Sequence, residues 1–186
     1  MIDTKTVEKS TGSSTIEKYA SQVHAILKLE DDFNIKKVVT GLGGTIEEGF
    51  LGTGIVAQLT NISNKKGEPS FEIKISNLID SEEKIRFAIA HELGHLFIHL
   101  NFLDKNKWLK NCQKPIVYYK EEISIGVKEA EANAFAVAFL MPINRFRIVA
   151  NINLNKKIYN IEQIAKQFVV SKMSAYYRGV NLGLWT

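Results

Sequence analysis

Apolar residues along this chain change their spacing several times, and each change marks a different kind of element. From Thr15 to Leu29 they fall at Ile16, Tyr19, Ala20, Val23, Ile26 and Leu27. That spacing predicts an amphipathic helix with one face turned inward. A loose polar lead-in, Ser10 to Ser14, precedes it. Between Ile35 and Ile75 the runs shorten. Lys37–Thr40, Gly54–Leu59 and Phe71–Ile75 are β-rich and alternate with turn signals at Gly41-Leu42-Gly43-Gly44, at Gly52 and from Asn61 to Gly67. A small twisted sheet of about three strands is the expectation. The glycines at 41, 43 and 44 read as turn chemistry, because no Lys-Ser/Thr pair follows and no helix opens there.

From Asp80 onward the spacing is helical. Asp80 with Glu83 forms a capping box, and the helix it opens runs to about Leu100 with apolar residues on most faces. Asn101 to Val127 is irregular, with Pro115–Tyr119 as a short strand. An alanine-rich helix spans Lys128 to Met141 and Pro142 ends it. Two short helices follow, Ile161–Phe168 and Ser171–Asn181, with Ser171 as N-cap. The expected class is α+β: a small sheet on a helical core, with a C-terminal helical subdomain. The expected division is a main domain over 1–150 and a closing segment over 151–186.

Composition narrows this picture without changing it. A chain of 186 residues, 45% hydrophobic and 24% charged, has ordinary globular make-up. It buries enough surface to need no staples. No apolar run reaches the length of a membrane span, and Met1 to Lys18 lacks the apolar core of a secretory signal. The single cysteine, Cys112, cannot close an internal disulfide. These features predict a soluble cytoplasmic protein. The net charge of +4, from 24 basic and 20 acidic residues, is spread along the chain. It makes no concentrated basic face of the kind that nucleic-acid binding usually shows.

The helix opened at Asp80 is predicted to lie deep, yet it carries His91, Glu92 and His95. Buried polar and charged groups are costly unless paired or bound to metal. Histidines at i and i+4 share a helix face one turn apart, and a glutamate beside the first can act on a water at the metal. This is the zinc-peptidase pattern. Catalytic zinc takes three protein ligands, so a third donor must come from elsewhere. The alanine-rich helix offers Glu129-Ala-Glu131-Ala-Asn133, whose small residues let two helices approach closely. Glu129 and Asn133 share a face, while Glu131 points about 180° from it. Glu129 is therefore the expected ligand, Asn133 the hydrogen-bond partner of a liganding histidine, and Glu131 a solvated side chain. His99 extends the histidine row, but about 12 Å of helix separates it from His91. It reads as a satisfied neighbour, and it and Glu131 remain the alternatives for the third donor. His24, alone on the first helix, reads as a packed or surface side chain.

His91-Glu-Leu-Gly-His-Leu-Phe-Ile-His99, Glu129-Ala-Glu-Ala-Asn-Ala-Phe-Ala136 and Leu140-Met-Pro142 together resemble the ImmA/IrrE metallopeptidases. Phe71–Ile75 followed by Ile85–Ala90, and Ile164–Ser171 with Arg178 and Leu182-Gly-Leu184, are similar to that family as well. The resemblance runs from about Phe71 to Leu184. It implies a gluzincin-like zinc site with His91, His95 and Glu129 as ligands and Glu92 as general base. It also implies cleavage of a cytoplasmic regulatory protein, such as a repressor of a mobile element or of a stress response. Asn133 stands where the related gluzincin pattern has Asp. Tyr118, Tyr119, Tyr176, Tyr177 and Arg178 are candidates for stabilising an oxyanion, each with a packing or surface alternative. An extended substrate pairing with a sheet edge is the expected mode of entry. The rival reading is a regulator that binds a partner or DNA and keeps zinc for structure. It rests on the helix-turn-helix look of Ile164 to Leu184, where Ser171 to Leu184 holds only Lys172 and Arg178 as basic residues.

Overall fold

The computed structural model describes residues 13–63, 68–111 and 123–186. Helix α1 (Ser13–Ile26) buries Ile16, Ala20 and Val23, the stripe expected from the spacing. His24 on this helix is buried between the Phe33 and Phe139 rings. Lys37–Thr40, expected as a strand, is instead helical, within α2 (Ile35–Gly41). Asn34 caps α2 by accepting from the Lys37 N–H at 3.1 Å. Ile35, Val38 and Val39 then bury one helical face. A cap and a buried i, i+3, i+4 stripe outweigh β-branched content in so short a run.

The sheet holds β1 (Thr45–Gly49), β2 (Ala57–Ser63) and β3 (Pro69–Ser76) in the order β1-β3-β2. β1 is parallel and β2 antiparallel to β3. β1 was not among the expected strands, and β2 runs on into the stretch read as a turn. Along β3, Phe71, Ile73 and Ile75 point into the core. Lys74 points out, to Glu47 at 3.1 Å and Glu72 at 3.6 Å. Gly44 is required where it stands, since a Cβ there would enter the Phe71 ring. Among the described residues no strand pairs with the outer edge of β2.

Helix α3 spans Glu82–Gly94, and its cap is Ser81 rather than Asp80. Ser81 has the extended backbone an N-cap needs, and its hydroxyl accepts from the Lys84 N–H and donates to Glu83. The helix then widens into a π turn, His95–His99, closed by the Leu100 N–H on the His95 carbonyl at 3.0 Å. The stretch expected to be irregular contains α4 (Lys105–Asn111), opened by Asp104 accepting from the Asn106 and Lys107 N–H groups. The strand expected at Pro115–Tyr119, and Cys112, lie outside the described residues.

Helix α5 runs Ile123–Leu140, starting earlier than expected. Pro142 ends it and also opens α6 (Ile143–Ile152), which the apolar pattern had not announced. A two-residue hairpin, β4 (Leu154–Asn155) with β5 (Ile158–Tyr159), leads to α7 (Ile161–Phe168) and α8 (Lys172–Asn181). These last helices stand where expected, with Asn160 and Ser171 as caps. Phe168 stacks on Phe146, and the buried Arg178 holds Glu17 of α1 at 2.6 Å and 2.7 Å. The fold is α+β, with a small mixed sheet packed on helices.

Candidate metal centre

The centre is built where α3 and α5 come closest. Gly94 faces Ala132 so tightly that an added Cβ would lie 3.0 Å from the Ala132 Cα and carbonyl oxygen. With Ala132 as the point of contact, Glu129 sits about 60° to one side around α5 and Glu131 about 100° to the other. Both carboxylates can therefore reach across to α3 and the π turn, from opposite flanks.

On one flank the Nε2 atoms of His91 and His95 lie 3.0 Å apart. Glu129 closes the triangle, with one oxygen 3.0 Å from His91 Nε2 and the other 3.2 Å from His95 Nε2. Their outward nitrogens are engaged elsewhere. His91 Nδ1 is 2.9 Å from Asn133 Oδ1, an acceptor, so it carries the proton there. His95 Nδ1 is 2.9 Å from His99 Nδ1. With the His91 proton on Nδ1, the Nε2 atoms of both histidines and the Glu129 carboxylate converge on one point, an arrangement suited to a cation. The spacing suits one: bond lengths near 2.1 Å in a tetrahedron put ligand atoms about 3.4 Å apart. Two nitrogens and one oxygen donor are also the chemistry that catalytic zinc takes.

On the other flank the expected solvated role of Glu131 is corrected. Its side chain is only 15% exposed and accepts from His99 Nε2 at 3.1 Å. The physical reason is that Ala132, not the Glu129–Asn133 face, is the point of contact. His99 does not join the triangle, and it sits behind His95.

Glu92, beside the first histidine, is 8% exposed. Burial, with the negative charge of Glu129 added, pushes its carboxyl up to about 7, against the pull of a hydrogen bond from the Leu59 N–H. Leu59 belongs to β2, so the glutamate touches the edge strand. Burial also pushes His95 down to about 3, with His99, His91 and Lys128 adding to it, and lowers His99. Both shifts favour the neutral ring, the form that a metal ligand and its partner use.

The oxyanion candidates fare differently. Arg178 is occupied by Glu17 and the Met141 carbonyl. Tyr177 is exposed and packs edge-on against Tyr176. Tyr118 and Tyr119 lie outside the described residues. The pairing of Glu131 with His99 was missed by sequence reasoning, although the continued histidine row and the Glu-Ala-Glu spacing both signal it.

Two histidines one turn apart, a carboxylate from a second helix and a buried glutamate beside them define a metallopeptidase-like centre. The family model of the IrrE N-terminal-like domain, Peptidase M78, matches residues 71–179, and the chain belongs to that family. Among curated proteins none matches the sequence. Among solved structures, a Mycobacterium tuberculosis transcriptional regulator is similar in fold, with a TM-score of 0.57 at 13% identity. The match covers 92% of this chain and 48% of that one, so this chain spans about half the length of the regulator. Among the described residues no single helix is long and apolar enough to cross a membrane.

Proposed function

We propose that this chain is a zinc-dependent endopeptidase of the cytoplasm that cleaves one regulatory protein, a repressor of a mobile element or of a stress response. The observation that carries the reading is Glu92. It is a buried carboxyl, raised toward neutrality, beside three converging acceptors, and it contributes no atom to their triangle. His91, His95 and Glu129 would hold the zinc, which when bound supplies Lewis acidity to a water and to the scissile carbonyl. Glu92 takes the proton of the attacking water and delivers it to the leaving amine. The Leu59 N–H holds the Glu92 carboxylate at the sheet edge while it does so. An extended substrate segment pairs along the outer edge of β2, where backbone hydrogen bonds tolerate many side chains. Leu59 places that edge beside the base.

The test is cleavage of the purified cognate repressor, with fragments mapped by mass spectrometry. One cut site, lost on chelation and restored by added zinc, is the expected result. An intact repressor under zinc-replete conditions contradicts it.

A second reading, a non-proteolytic regulator with structural zinc, draws support from the regulator that shares the fold and from the two capped helices α7 and α8. Burial of Arg178 weighs against its DNA-binding form, because it removes one of the few basic groups of α8 from the surface. Retention of random duplex on a filter at low salt would favour this second reading.

A further inference from the structure

We infer that Glu131 and His99 form a positioning relay that fixes the tautomer and ring orientation of His95, and so sets how tightly the centre holds zinc. The inference rests on the metal-site reading above. An ionised carboxylate can only accept hydrogen bonds. Glu131 Oε2 lies 3.1 Å from His99 Nε2, so the His99 proton is on Nε2 and its Nδ1 is a lone pair. That lone pair lies 2.9 Å from His95 Nδ1, which must therefore be the donor. A neutral imidazole carries one ring proton, so His95 Nε2 is left as a bare lone pair facing His91 and Glu129. Each link dictates the next, and the chain ends on the atom a metal would use.

Burial makes the relay hard to replace. His95 and His99 side chains are 2% and 8% exposed and Glu131 15%, so bulk water has little access to substitute. The other ligand is held differently: His91 donates to the amide oxygen of Asn133, an exposed residue. One ligand is thus backed by a neutral amide and the other by a carboxylate acting through a second ring. A carboxylate behind a ligating imidazole raises its basicity and fixes its orientation. The π turn serves the same end, since it sets His99 against His95 with the two Nδ1 atoms facing.

The test compares the full chain with Glu131→Ala, Glu131→Gln and His99→Ala. Zinc affinity is read by chelator competition, and the His95 tautomer by 15N spectra of the metal-free protein. Glu131→Ala and His99→Ala should each weaken zinc about 10–100-fold, the usual effect of losing such a partner. Glu131→Gln, whose amide oxygen can still accept from His99, should recover most of that loss. The double variant Glu131→Ala/His99→Ala should bind no more weakly than His99→Ala alone, because both changes cut one chain. Wild-type His95 should carry its proton on Nδ1. A proton on Nε2, or zinc affinity unchanged in both single variants while His95→Ala abolishes it, overturns the relay and leaves the metal site standing. Wild-type protein that binds no zinc overturns both. Should Glu131→Ala fail to fold, the wild-type tautomer and the His99→Ala affinity still decide.

Discussion

Two clusters of buried charge in this molecule are built on opposite logic. Asp31 and Arg178 each meet a complementary charge. Asp31 accepts from Arg145 at 2.7 Å and 3.0 Å and from Gln167 at 2.9 Å, while Arg178 donates to Glu17 and to the Met141 carbonyl. These contacts tie α1 and the segment after it to α6, α7 and α8. Between α3 and α5, by contrast, acceptors face acceptors and a carboxyl is left near neutrality. Paired charges serve stability, and converging acceptors suit something the chain does not itself supply. That difference separates structure from function without reference to any relative.

Removing a converging acceptor should have the largest effect. Glu129→Ala should lower zinc affinity by more than the 10–100-fold that a partner behind a ligand is worth. The metal-free protein should keep its stability or gain some, since the repulsion is relieved. Parallel zinc titration and thermal melts read both. Next is Gly94→Ala, whose methyl group meets the α5 backbone at 3.0 Å. Spreading the helix pair should cost about 1–3 kcal/mol and weaken zinc as well, because Glu129 is carried away from the histidines. A loss of stability with unchanged zinc affinity would show that the close approach is not what positions the ligand.

In the paired cluster the effects should fall on stability alone. Glu17→Ala leaves Arg178 short of its carboxylate and should cost about 2 kcal/mol in urea unfolding, with zinc content unchanged. The smallest effect belongs to Asp31. Burial pushes its carboxyl upward, but the hydrogen bonds from Arg145 and Gln167 outweigh this and hold it below its ordinary 3.8. A depressed carboxyl stabilises the fold above that ordinary value and loses the contribution as pH falls through the depressed one. Wild type should therefore exceed Asp31→Asn by on the order of 1–2 kcal/mol at neutral pH. The gap should close below pH 3.8 and toward the depressed value. A gap independent of pH would contradict the pairing.

Much of this was legible in the chain, and the failures have physical causes. α1, α7 and α8 were read correctly because an apolar stripe fixes a helix, and at Ser171 a polar cap marks the start as well. α2 was misread because Ile35, Val38 and Val39 are β-branched in a run too short for period alone to decide. β1 gave little signal, as its residues are mostly exposed. The convergence of His91, His95 and Glu129 followed from i, i+4 geometry and the small residues of α5. Glu131 did not, because its role depends on which residue of α5 touches α3 and on a π turn that no periodicity announces.

The most direct test of the enzymatic reading is Glu92→Gln, which keeps size and hydrogen bonding but removes the base. Zinc content and melting temperature should stay near wild type, while cleavage of the cognate repressor falls on the order of a hundredfold or more. Full activity in the Gln variant would contradict the account, and so would loss of zinc together with activity, since Glu92 would then be part of what holds the metal.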